Sequence, residues 1–289
     1  MTILLATARS PYILATKLYT LLGKELSLQQ WQMGGFNFCR CQIAGEHNPL
    51  PARMRKRFQE QIAQSVAAFI IEAVEEELLA KIFWQQYEVD EQQEAKELCL
   101  RAKKILDQAD QGHFPGLSSR RELLARRLKE YLQDNSYLNI DGFIQFRLPD
   151  YMLELEQAAE EAVEEYIVEK EYDEFISVLR YFVEMQEPRV EKVHVVLNPQ
   201  GGFQLYGGET KNLEKDYLEG CMVDMEDNEL NCEDLLLSAL ITLAPRQIIL
   251  HGSEKGRTRG TVNTLKNVFG ERVTMCSGCK RCRQLLHKF

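Results

Sequence analysis

The sequence lacks any long apolar run, and no segment approaches the roughly 18 consecutive apolar residues that a membrane-spanning helix needs. It also lacks an excess of basic residues, because 44 Asp and Glu outnumber 35 Lys and Arg and give a net charge of -9. Binding of the whole surface to nucleic acid or to a membrane is therefore not expected. The first residues lack the basic region of a secretory signal, so we expect a cytoplasmic protein.

The composition excludes a disordered chain, since hydrophobic residues make up 45% of the 289. This length allows one large core or two smaller ones. A small N-terminal α/β piece, 1–48, precedes a mainly helical region, 49–190, and a C-terminal α/β region with a cysteine-rich basic tail, 191–289. The predicted fold class is therefore mixed α/β, and the N-terminal piece either stands alone or adds its strands to the C-terminal sheet.

The middle region carries helical patterns, with apolar residues at three- and four-residue steps from about 52 to 86, 91 to 109 and 118 to 132. The pair Asp141-Gly142 is typical of a turn, and the residues from Phe143 to Leu148 alternate as a short strand. From Tyr151 to Glu187 we predict two acidic amphipathic helices with a hinge near residues 169–173.

The C-terminal region begins with a predicted β-hairpin, 193–197 and 203–206, in which His194 faces solvent or a neighbouring strand, with a role as a ligand as the alternative. After a helix at about 232–243, the pattern predicts a strand at 247–250, a loop, a helix at 261–268 and a strand at 272–276. A right-handed crossover makes these two strands parallel. His251 and Cys276 are then expected at the carboxyl ends of neighbouring strands, the edge where open α/β sheets bind ligands.

Eight cysteines are present, and in the cytosol we expect them to be reduced, so that a close cluster indicates ligands or redox thiols before disulfides. Cys39 and Cys41 alternate on one strand, and Cys99 lies among apolar residues of a helix. Buried core thiols are the interpretation for all three.

The remaining dense cluster is Cys276-Ser-Gly-Cys279-Lys-Arg-Cys282, whose regular spacing can wrap one soft cation. A structural zinc site needs a fourth donor, for which the chain offers His251 or His287 first, and Cys221 or Cys232 as alternatives. Iron–sulfur ligation is less favoured, because a ferredoxin-type run adds a fourth Cys and a proline that are missing here. Redox chemistry of the thiols and a cluster without a ligand remain alternatives.

A basic loop precedes the last predicted helix and can cradle an anion through backbone N–H groups and its polar and charged side chains, namely Ser253, Lys255, Arg257 and Arg259. It is not a P-loop, since the Gly-Lys-Ser/Thr core is absent. A flexible solvated connection is the alternative interpretation. From His251 to Phe289 the sequence has nine Lys or Arg against two Glu, which concentrates positive charge near the thiols.

Five segments of the chain are distinctive in sequence and order: Leu138 to Phe143, Phe146 to Leu148, Val168 to Phe175, Leu179 to Pro188 and Ser238 to Pro245. Together they resemble the YtxC-like family of sporulation proteins. The resemblance implies a cytosolic protein of endospore-forming bacteria. It brings no catalytic residue or activity with it.

The sequence favours a non-enzymatic, sporulation-associated protein with a zinc-binding cysteine cluster, whose basic edge binds a protein partner or nucleic acid. No combination of nucleophile, base and oxyanion donors is recognisable. The alternative is an enzyme, either a thiol redox protein using Cys276 and Cys279 or a metal-dependent hydrolase or nuclease. Glu209-Thr210-Lys211 has the Glu-x-Lys form of some nuclease sites, but so short a pattern recurs by chance.

Overall fold

The computed structural model describes residues 1–23, 26–43, 51–111, 119–197, 203–207, 232–251 and 258–279. Within these ranges the chain divides into two compact units, 1–167 and 168–289. Each unit has one four-stranded mixed sheet and one apolar core. The mixed α/β class predicted from the sequence is confirmed, with a helical middle and a C-terminal sheet.

The first unit is built on a sheet of order β2-β3-β1-β4. Its strands are β1 Thr2–Thr7, β2 Leu26–Met33, β3 Phe36–Ile43 and β4 Tyr137–Asn139. β1 lies antiparallel to β3 and parallel to β4. Gly34 and Gly35 join β2 to β3 with φ angles of 58° and 80°, the left-handed conformation that a two-residue type I′ turn requires at both positions.

Helices supply the rest of the first core: α1 Pro11–Leu22, α2 Ala52–Phe69, α3 Glu75–Tyr87, α4 Gln92–Gln111, α5 Arg120–Asp134 and α6 Ile140–Arg147. A π-helical segment, Ile70–Val74, joins α2 to α3, so the long amphipathic helix predicted from about 52 to 86 is one continuous helical run. Apolar side chains at its three- and four-residue steps, such as Ile62, Val66 and Phe83, are fully buried.

Two details of the middle region differ from prediction. Phe143 to Leu148 is not a strand, since residues up to Arg147 form α6, with Phe143, Ile144 and Leu148 buried and Phe146 exposed. The two hinged helices are instead one helix, α7 Pro149–Met185, since no glycine or proline occurs from Asp150 to Glu187 and the charged stretch alone does not break the helical hydrogen bonds.

The second unit has a sheet of order β6-β5-β7-β8 and its own helices. The elements are β5 Val190–Leu197, β6 Phe203–Gly207, α8 Cys232–Leu243, β7 Pro245–His251, α9 Thr258–Phe269, a 3-10 turn Gly270–Arg272 and β8 Val273–Met275. The predicted hairpin is confirmed, since β5 and β6 pair antiparallel, and so is the parallel pairing of the two later strands. The end of α7 adds Ile176 and Val183 to this core.

Alternation along β5 and β7 separates the two faces of the second sheet. Val193, Val195, Ile248 and Leu250 are fully buried in the apolar core. His194 lies between two of these core residues in sequence and therefore points to the opposite face. That opposite face, near the carboxyl ends of β7 and β8, holds the candidate site described next.

Candidate metal centre

His251 is the last residue of β7, and its side chain is only 2% exposed. A buried imidazole needs partners for its ring nitrogens, because an unpaired polar atom in the interior is costly. Both ring nitrogens have such neighbours. Nδ1 lies 3.5 Å from Cys279 Sγ, and Nε2 lies 2.8 Å from His194 Nδ1.

The parallel pairing of β7 with β8 places Cys276 beside His251. Leu250 pairs with Met275, and the N–H of Cys276 donates to the carbonyl oxygen of Leu250 at 2.9 Å, which carries the strand pairing to the first thiol. Cys276 is half-buried. The expected meeting of His251 and Cys276 at one sheet edge therefore follows from the backbone register alone.

A turn after Cys276 returns the chain to the same edge. Gly278 takes a φ of 114°, which L side chains rarely adopt, so the residue type between the two thiols is dictated by the backbone. The turn brings Cys279, also half-buried, to His251. One ligand atom from each of His251, Cys276 and Cys279 then lies within 4.8 Å of the others.

These three residues are part of the set predicted from the sequence. The other predicted metal ligands, Cys282 and His287, and the alternative Cys221 lie outside the described residues. Cys232 is the first residue of α8, and the structure describes its backbone but not its side chain. Their part in a metal site stays a prediction.

The anion-binding loop is described only at its end. Ser253, Lys255 and Arg257 lie outside the described residues, and Arg259 is exposed in the first turn of α9. Anion binding therefore also stays a prediction.

Cys39, Cys41 and Cys99 belong to the first unit and are buried, as predicted for core thiols. Burial raises the pKa of Cys39 to about 11, and burial together with the neighbouring Cys39 raises that of Cys41 to about 12. Burial, with the Glu76 carboxylate adding to it, raises the pKa of Cys99 to about 11. Thiols that stay protonated at neutral pH are poor nucleophiles and poor metal ligands.

His194 is the part of the arrangement that sequence reasoning did not assign. Its strand partner in β7 is Ile249, two residues before His251 and on the same face of the sheet. The rings of His194 and His251 are 5.1 Å apart between centroids and tilted by 34°. Its place beside His251 depends on the register of the parallel β5–β7 pair, which the apolar alternation of the two strands does not specify.

The fold and the cluster define a mixed α/β protein with thiols and a buried imidazole gathered at one sheet edge. The profile of the YtxC-like family matches residues 60–274, and the chain therefore belongs to that family. Among the helices of the described ranges, none combines the length and apolar character needed to cross a membrane.

The chain is similar to the uncharacterized protein YtxC of Bacillus subtilis (strain 168), with 30% identity over 231 residues that cover 78% of each chain. No solved structure matches it. His194 and His251 lie inside the range that matches the family, which ends at residue 274, before Cys276. The family match therefore does not extend to the two thiols.

Proposed function

We propose that this protein binds one zinc ion through His251, Cys276 and Cys279, and that the metal fastens the segment after β8 to the end of β7. The observation that carries the proposal is the approach of three ligand atoms to within 4.8 Å of one another. Two sulfurs and an imidazole nitrogen form a soft donor set that suits zinc and disfavours magnesium or calcium.

The contact between the second thiol and the imidazole has the length that a shared zinc ion requires. Zn–S and Zn–N bonds of about 2.3 and 2.1 Å at a tetrahedral angle place the two donor atoms about 3.6 Å apart. Cys279 Sγ lies 3.5 Å from His251 Nδ1. Small adjustments of the half-buried Cys276 side chain complete the triangle.

For the fourth donor we propose Cys282. It continues the spacing of the first two thiols, so it repeats the two-residue separation that already brings Cys279 back to the site. His287 is the second candidate. A closed set of four protein ligands is typical of structural zinc, whereas catalytic zinc keeps one position for water.

We infer a non-enzymatic role in the cytoplasm, associated with sporulation. The sporulation assignment is supported by the resemblance to the YtxC-like family, and the non-enzymatic role by a donor set suited to a closed structural site. Nine Lys or Arg against two Glu from His251 onward support binding of a protein partner or nucleic acid at this basic edge. A structural metal there would hold the basic segment in place for that partner.

Metal analysis of the full chain purified without oxygen tests the proposal. We expect stoichiometric zinc in the wild type and in the control Cys99→Ala, which removes a buried thiol outside the cluster, and loss of zinc in Cys279→Ser. Cys282→Ser and His287→Ala, measured in the same way, identify the fourth donor.

Two outcomes would overturn the zinc proposal. Metal-free protein with a reversible disulfide between Cys276 and Cys279 would assign the pair to thiol redox chemistry instead. Metal-free protein without such a disulfide would leave the cluster without a ligand.

A further inference from the structure

The imidazole of His251 is contacted from both of its nitrogens. Nδ1 faces the thiol of Cys279, and Nε2 faces Nδ1 of His194 at 2.8 Å. The second contact is within the ordinary length of a hydrogen bond. In this hydrogen bond either His251 Nε2 or His194 Nδ1 must carry the proton. The tautomer of each ring therefore depends on the tautomer of the other.

A metal at Nδ1 decides which nitrogen donates. Coordination uses the Nδ1 lone pair, so the proton of a neutral His251 ring resides on Nε2 and points at His194. His194 then accepts through Nδ1 and carries its own proton on Nε2. The hydrogen bond fixes the rotation of the His251 ring as well as its tautomer.

We propose that His194 is the positioning residue of the metal centre, accepting a hydrogen bond from His251 Nε2–H and holding Nδ1 toward the two thiols. This inference rests on the proposed zinc site. Metal-bound histidines in general donate their second N–H to an acceptor such as a carboxylate, a backbone carbonyl or water, and losing that acceptor typically weakens metal affinity by about 10- to 100-fold. Here the acceptor is an imidazole nitrogen.

Because His194 does not lie in the apolar core, its role at the metal centre can be tested without disturbing core packing. Its neighbours Val193 and Val195 point into the apolar core, whereas His194 is half-buried on the opposite face. Substitution of His194 therefore leaves the core side chains in place. Lys192, two residues earlier on the same face of β5 and opposite Gln247, provides a control for changes to that face.

Two substitutions of His194 show whether the metal centre needs a hydrogen-bond acceptor at this position or only a side chain of similar size. Asn places its Oδ1 close to the position of the His Nδ1 and can accept from His251, whereas Leu fills the space without an acceptor. Zinc affinity is measured on the full chain by competition with a chelator. Nitrogen chemical shifts of the zinc-loaded protein report which nitrogen of His251 carries the proton.

We expect His194→Leu to bind zinc about 10- to 100-fold more weakly than the wild type, and His194→Asn and Lys192→Leu to stay within about threefold. The His251 proton should reside on Nε2 in the wild type and in His194→Asn. Urea unfolding of the metal-free proteins measures separately the cost of removing the His194 partner of His251 Nε2, and every variant should remain folded under the conditions of the zinc measurement.

The two proposals fail in different ways. If the wild type binds no zinc, the metal site falls and the role of His194 falls with it. If the wild type binds zinc and His194→Leu binds equally well, only the role of His194 is overturned. Equal weakening in the Leu and Asn variants, or a proton on Nδ1 of His251, would also overturn it.

Discussion

Two opposite charges, Glu75 and Arg120, are buried in the first unit with exposures of only 1% and 5%. Arg120 donates to both oxygens of Glu75 at 3.1 Å and also reaches Asp107 and Asp110. The Tyr151 hydroxyl donates to Glu75 at 2.9 Å. Burial, reinforced by the Glu75 carboxylate, raises the pKa of Tyr151 well above its usual range, so this hydroxyl stays a donor.

Removing one member of this buried pair should cost far more than removing a surface charge. Glu75→Gln leaves the guanidinium of Arg120 in the interior with only its outer carboxylates, and we expect a loss of about 3 kcal/mol of unfolding free energy. Urea denaturation measures it. The control is Glu191→Gln, whose partner Arg246 is 3.5 Å away on an exposed surface and whose loss should cost under about 1 kcal/mol. Equal costs would contradict the prediction.

At the metal centre, sequence reasoning could find the residues whose positions follow from strand ends. His251 and Cys276 each lie at the carboxyl end of a predicted strand, and neighbouring parallel strands share their carboxyl edge. His194 could not be assigned in this way. Its contact depends on which residue of β5 lies opposite which residue of β7, and the apolar alternation is the same for every register that keeps the faces.

At the level of elements, the clearest error of sequence reasoning concerns α6. The pair Asp141-Gly142 predicts a turn before a strand, but in the structure Asn139 caps a helix by accepting from the Gly142 N–H at 3.1 Å. A cap of this kind and a turn start from similar residue types, since Asn, Asp and Gly serve both. Which one forms is decided by packing, here the burial of Phe143 and Ile144 on one helical face.

The helix and the alternative turn at Gly142 predict opposite effects of replacing this glycine by alanine. In the helix, a Cβ would meet the Asn139 side chain at 3.6 Å, an ordinary contact, so Gly142→Ala should stabilise the protein by up to about 1 kcal/mol. Asn139→Ala should destabilise it by about 1 kcal/mol, because the cap is lost. Thermal unfolding measures both. Destabilisation by Gly142→Ala would show that a turn conformation is required there.

For the whole molecule, the division into units does not coincide with the ends of helices. α7 runs from Pro149 to Met185, and the boundary falls within it at residue 167. Its last turns belong to the second unit: Ile176 and Val183 are in that core, Tyr172 contacts Thr264 at 2.9 Å, and Arg180 donates to the carbonyl oxygen of Asn267.

Fragments of the chain should show this dependence. We expect residues 168–289 to fold as a unit, with a cooperative thermal transition by circular dichroism. A fragment of 187–289 loses Ile176 and Val183, whose burial stabilises by roughly 1.5 to 3 kcal/mol each. The loss of about 3 to 6 kcal/mol is a large part of the roughly 5 to 15 kcal/mol by which native domains are stable. It should be largely unfolded. Similar transitions in the two fragments would contradict the assignment of the end of α7 to the second core.

The parallel pairing of β1 with β4 has a consequence for synthesis on the ribosome. The Leu4 N–H donates to the Ser136 carbonyl at 2.8 Å, and the Ala8 N–H donates to Asp141 across 133 residues. At a translation rate of about 5 to 20 residues per second, one edge of β1 waits on the order of ten seconds for its partner. An unpaired strand edge on a nascent chain is a place where chaperones can bind.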